Sequence, residues 1–183
     1  MLPPSTRREP RRPPPPLDPA ALERLALRYV ERFATTRGKL ADYLRRKVRE
    51  RGWADEAAAD ADALAQRMAA LGYVDDRAWA EAKAEALGRR GLGARRVGEA
   101  LRAARVEEDD RAAVADDVAG RTIEAALAFA RRKRLGPWAR GEVDRPAREK
   151  QLAAMLRAGH PLDLARRVLA LPPGVEPDAG ALE

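Results

Sequence analysis

From Asp18 onward the chain is cut into short lengths by helix-starting and helix-stopping residues, and the cuts recur in a regular order. Asp18 followed by Pro19 is a cap with proline at the first helical position, where the missing N–H is no loss. The next length puts Leu22, Leu25, Tyr29 and Phe33 on one helical face. Thr35 and Thr36 offer a second cap, ahead of a stripe of Leu40, Tyr43, Leu44 and Val48 that Gly52 stops. Trp53 is expected to pack back on that stripe. Asp55 is the expected cap of a third helix carrying Leu64, Met68 and Leu71 and ending at Gly72. Lengths this short cannot bury a face alone, so the helices must stack on one another.

After Gly72 the order restarts. Asp75 or Asp76 caps a helix through Trp79, Ala82 and Leu87 that ends near "RRGLG". A shorter helix from about Ala94 carries Val97 and Leu101, with Val106 just past its end. "EEDD", Glu107 to Asp110, then sets acids in the first turn of a third helix, where the macrodipole favours them; that helix carries Val114 and Val118 and meets Gly120. A third round runs through Ile123, Leu127 and Ala130 to "RRKRLGP", then Leu152, Met155 and Leu156 to Gly159, then Pro161, Leu164, Val168 and Leu169. Laying "LRRKVRERGW" over "VGEALRAARV" and "EKQLAAMLRAGH" gives a repeat of roughly 53 residues. The expected organisation is a disordered Pro/Arg-rich arm over 1–17, three-helix repeats over 18–72, 73–119 and 120–171, and a flexible tail over 172–183.

Ala, Arg, Leu and Glu dominate between the termini and no run alternates β-branched residues, so the expected fold is all-α. Only 4% of residues are aromatic, which makes for thin cores. The absence of cysteine excludes disulfides and thiolate zinc sites, and the single histidine, His160, leaves no His-centred triad or His-rich metal site. No apolar run reaches the ~18 residues of a membrane span, and the basic N-terminus lacks a signal-peptide core. A soluble, cytoplasmic, monomeric protein without cofactor or metal is expected. The net charge of +7 is unevenly spread: residues 1–53 hold 14 Lys/Arg against 6 Asp/Glu, residues 54–120 hold 10 against 15, and residues 121–171 hold 12 against 5. Nucleic acid or an acidic protein would be drawn to the basic ends.

The acidic pair Asp75–Asp76, between Tyr73 and Trp79, resembles an acid/base site but has no convergent His, Cys or phosphate loop near by. A helix cap with a first-turn acid explains it, with Gly72 stopping the preceding helix and Tyr73 and Trp79 wedged between the first unit and the second. Asp60 and Asp62 lie two apart and share no helix face, which reads as a solvated surface rather than a metal site. "GRRGLGARR" lacks the GxxxxGK[ST] pattern, so Gly91 and Gly93 are expected to turn the chain. His160, between a helix-ending Gly and Pro161, suits a loop or packing role. The basic clusters are the stronger candidates for a binding surface. Arg45, Arg46, Lys47 and Arg49 lie opposite Leu44 and Val48; Arg89, Arg90, Arg95 and Arg96 flank a turn in the second unit; Arg131, Arg132, Lys133 and Arg134 end a helix in the third. No aromatics are interleaved with them in a pattern that suggests base stacking.

"GYVDDRAWA", Gly72 to Ala80, resembles the Gly-Tyr-x-Asp/Asn-Asp-x-x-Phe-Ala signature of the RecX family, regulators of the RecA recombinase. "TRGKL", Thr36 to Leu40, resembles that family's Ser-Arg-x-Glu-Leu, and "GARRVGEALRAARV", Gly93 to Val106, its Gly-x-x-Arg-Ile-x-x-Glu-Leu-x-x-Lys-Gly-Ile. Gly93, Arg96, Val97, Leu101 and Val106 match; Ala100, Ala104 and Arg105 depart from the Glu, Lys and Gly. The resemblance covers about Leu25 to Val106, and beyond that only the helical pattern. It implies tandem three-helix, helix-turn-helix-like repeats in an elongated, curved molecule. It further implies a non-enzymatic partner of the RecA–DNA filament that inhibits RecA's ATPase, recombinase and co-protease activities, and so modulates recombination, DNA repair and the SOS response. Weak, non-specific binding to single- or double-stranded DNA would accompany that role. A stand-alone helix-turn-helix-like DNA-binding protein is the alternative.

Overall fold

A computed structural model describes residues 14–182; most of the expected arm, residues 1–13, lies outside them. Among the described residues the regular structure is helical and no strand forms: α1 (Pro19–Val30), α2 (Arg37–Arg51), α3 (Ala61–Ala70), α4 (Asp76–Arg89), α5 (Ala94–Ala103), α6 (Glu108–Ala113), α7 (Ala115–Gly120), α8 (Thr122–Lys133), α9 (Arg145–Arg157) and α10 (Leu162–Ala170). Side-chain caps start five of them. Asp18, Thr36, Asp60, Asp75 and Asp144 each accept a backbone N–H from the residue three positions on, an arrangement worth about 1 kcal/mol per helix.

Three expectations about these elements are corrected. Asp55 does not cap the third helix. The Trp53 indole donates to the Ala57 carbonyl (2.6 Å) and Asp55 accepts from Ala57 N (2.9 Å), which ties residues 53–57 into a loop and leaves the cap to Asp60. The expected helix through Val114 and Val118 is two short helices, α6 and α7, which meet at Val114. Phe33 and Leu71, expected on apolar stripes, are 52% and 61% exposed because each lies past the end of its helix.

Three hydrophobic cores follow one another along the chain. The first gathers α1–α3 with Leu17 and Val74. The second unites Ala80, Ala84 and Leu87 of α4 with Val97, Leu101, Ala104, Val106 and Val114. The third joins α8–α10, the 3-10 turn Gly136–Trp138 and Leu182 of the tail. Five helix ends close in the same way, with paired backbone bonds at Gly72/Tyr73, Gly91/Leu92, Arg105/Val106, Arg134/Leu135 and Gly159/His160. In each pair the first residue has positive φ and the second donates back to the carbonyl five residues earlier.

The joints between cores also recur. The N-terminus of α2 meets the C-terminal turn of α5: the Thr36 hydroxyl donates to the Ala104 carbonyl (2.5 Å), and a Cβ on Gly38 would overlap the Arg105 side chain. The N-terminus of α5 meets the C-terminal turn of α9 alike: Gly93 N donates to the Ala158 carbonyl (2.9 Å), and a Cβ on Gly93 would overlap the Gly159 backbone. At the end of α2 the matching place is taken by the segment entering α1. Leu17 exchanges two backbone bonds with Gly52 and Ala54, and Arg51 donates to the Pro15 carbonyl. Gly52, Arg105 and Gly159, aligned with one another in the sequence, have φ of 82°, 57° and 95°.

Candidate functional site

The structure resolves the acidic pair into two different roles. Asp75, outermost, accepts Ala78 N at 2.8 Å and starts α4. Asp76, one residue inside, is 5% exposed and turns back toward the first core, where it accepts the Arg37 backbone N–H (2.7 Å) and Nε (3.2 Å). The other arm of the Arg37 guanidinium reaches Glu107 and Asp110, each at 3.2 Å, and Nη1 donates to Gln66 (3.3 Å). Burial works against the Arg37 charge, but Asp76, then Glu107 and Asp110, outweigh it and hold the guanidinium above its ordinary pKa. One side chain therefore joins α2, α3, α4 and α6.

Trp79, half-buried on α4, faces two cations, Lys39 Nζ at 4.7 Å and Lys83 Nζ at 5.9 Å from its ring centroid. It thus contributes to the seam between α2 and α4. Tyr73 does not: it is 53% exposed, and Val74 takes the buried place in the first core. Gly72, with φ of 78°, allows the chain to reverse there. His160 is 4% exposed between the second and third cores. Its Nε2 lies 3.1 Å from the Gly91 carbonyl, its ring 5.6 Å from Phe129, and Nδ1 has no partner. Burial, opposed by the Gly91 carbonyl, holds its pKa below the ordinary histidine value.

The basic clusters divide by what faces them. In the first core Arg45 pairs with Asp42 and Asp62, Arg46 and Lys47 with Glu50, and Arg49 stands exposed. Asp42 also takes Arg105 from the next unit at 2.6 Å; the Arg45 hydrogen bond is the main reason its carboxyl is held below the usual range, with burial opposing and the Arg105 charge adding. In the second, Arg89 pairs with Glu85, and Arg95 and Arg96 share Glu99, while Arg90 stands exposed. Arg131, Arg132, Lys133 and Arg134 end α8, all exposed and none in an ion pair with another described residue; the Arg132 guanidinium lies 5.7 Å from the Phe129 ring centroid. The four-cation cluster is thus the least neutralised of the three.

Sequence reasoning missed the Arg37 hub, although "TRGKL" displayed Arg37; the spacing of 39 residues to Asp76 carries no local signal. It also missed that Trp138, on the 3-10 turn, shares a cleft with Arg131 and Arg132. No His/Cys/Asp/Glu group able to hold a metal occurs among the described residues, and no helix among them is long and apolar enough to cross a membrane.

No family model matches the chain. It is similar to the regulatory protein RecX of Myxococcus xanthus, 35% identical over 167 residues that cover 84% of this chain and 86% of that protein. It is also similar to the regulatory protein RecX of Agrobacterium fabrum, 27% identical over 150 residues and 80% of each chain. With the arginine and the aspartate of two family motifs meeting in one ion pair, and a relative alike over most of both lengths, the chain belongs to the RecX family.

Proposed function

We propose that this chain is a non-enzymatic regulator that binds the RecA–DNA filament and lowers RecA's ATPase, recombinase and co-protease activities. The relatives' names supply the regulatory class. The observation that carries the reading further is the recurring joint, α2 onto α5 and α5 onto α9, with Thr36 and Gly93 seated on Ala104 and Ala158. A unit that docks on the next in one fixed way generates tandem repeats along a curved line.

A long basic surface suits a helical polyanionic filament better than a small-molecule site does. The chain acts as a monomer in the cytoplasm, with weak and non-specific affinity for bare DNA. The test is RecA ATPase on single-stranded DNA with added protein. Inhibition at stoichiometric amounts in moderate salt is expected, and its absence refutes the reading. A footprint on a defined duplex without RecA would instead assign the chain to stand-alone DNA binding.

A further inference from the structure

The third basic cluster differs from the other two in more than its lack of ion pairs. Arg134 has φ of 57°, a left-handed backbone that disfavours any residue with a Cβ by about 1–2 kcal/mol. Arg105, the other such residue, packs on Gly38 and pairs with Asp42. Arg134 has neither compensation among the described residues; its side chain is exposed and without an ion pair to any of them. The helix dipole favours cations at this end of α8, but that does not require an arginine where glycine is easiest. Nor does it account for the neighbouring cleft, about 470 Å³, between an apolar wall of Leu127 and Ala128, the Trp138 ring, and Arg131 and Arg132. One carboxylate, Glu176 of the tail, lines it.

An aromatic ring beside arginines that no described carboxylate neutralises, continued by Lys133 and Arg134, is the combination that holds single-stranded nucleic acid: a base stacks on the ring while flanking phosphates meet the cations. An acidic protein surface would use the cations and leave the ring idle. We propose that this cleft is a single-stranded DNA site, with one base against Trp138 and adjacent phosphates on Arg131 and Arg132. The proposal rests on the filament-binding reading only for its cellular setting, since it assigns the DNA strand rather than RecA to this end of the molecule. Glu176, lining the same cleft, sets a negative charge near the bound phosphates.

The test uses the full chain and a fluorescein-labelled oligothymidylate without RecA, read by anisotropy across a salt series. Arg131→Gln with Arg132→Gln is expected to weaken binding at least tenfold in low salt and to reduce the log–log salt slope by about 1.4, two phosphates' worth for a single strand. Arg24→Gln with Arg28→Gln, equal in charge and exposed on α1, is expected to change binding less than threefold. Trp138→Phe should abolish the part of tryptophan quenching that accompanies binding, while circular dichroism stays unchanged. Glu176→Gln should tighten binding. Equal effects of the two arginine pairs, or quenching that persists in Trp138→Phe, overturns the proposal. Loss of RecA inhibition with oligonucleotide binding intact also overturns it, in favour of an acidic protein face. Oligonucleotide binding that follows these variants in a protein without effect on RecA refutes the filament reading and leaves the site standing.

Discussion

Removal of the Arg37 side chain should open the seam between the first and second cores. In Arg37→Ala the Asp76 carboxylate, 2% exposed, keeps the backbone N–H of residue 37 and loses the guanidinium, while Glu107 and Asp110 lose a shared partner. Stripping the partner from a buried charge costs about 3–5 kcal/mol. The retained backbone bond and the 22% exposure of Arg37 place this case lower, at about 2–3 kcal/mol, most of it from Asp76. Glu107, 68% exposed, adds little. The assay is urea unfolding followed by tryptophan fluorescence and far-UV circular dichroism, run as a double-mutant cycle with Asp76→Ala. Deleting both partners removes the stranded charge, so the double variant should be more stable than Arg37→Ala alone. A loss below about 0.5 kcal/mol in Arg37→Ala, or additivity within about 0.5 kcal/mol, refutes the hub.

Gly38→Ala should destabilise the same seam by about 1–3 kcal/mol, because its methyl would overlap the Arg105 side chain. Adding Arg105→Gly removes that side chain and the left-handed strain together, and thermal melts should show partial recovery; no recovery would refute the close approach as the cause. His160 predicts an acid weakness of the second seam. Its folded pKa is depressed, so stability is level above about pH 6.5 and falls as pH drops below it, by up to about 1.4 kcal/mol per pH unit until the folded ring itself takes the proton. The partners of the ring, the Gly91 carbonyl and Phe129, carry no charge, and the Arg96 side chain lies against the adjacent Gly159. Urea midpoints at pH 7.5 and 5.5 should differ in the wild type and less in His160→Gln; an equal difference in both assigns the effect elsewhere.

The all-helical fold was legible because its signals are local. Asp18, Thr36 and Asp75 cap helices from within three residues, and Gly52, Gly72, Gly91 and Gly159 carry the positive φ that stops them. The same local rules failed at Asp55, where the Trp53 indole holds a loop that propensity alone would let enter a helix. Local cues also cannot distinguish a cation that is neutralised from one that is free. Arg45 and Arg131 look alike in sequence, and only the packing of α2 against α3 brings Asp62 to the first while leaving the second exposed.

By itself, then, the sequence determined where helices begin and end, that they come in short lengths needing neighbours, and which motifs mark the family, since each depends on residues a few positions apart. The tertiary structure decided that Asp76 faces Arg37 rather than solvent, that Thr36 and Gly93 seat on the C-terminal turns of α5 and α9, and that Arg105 holds a left-handed turn against Gly38. These contacts join residues 39 to 68 positions apart. Their energy comes from burying charge and backbone between separate cores, which exist only once the helices are packed.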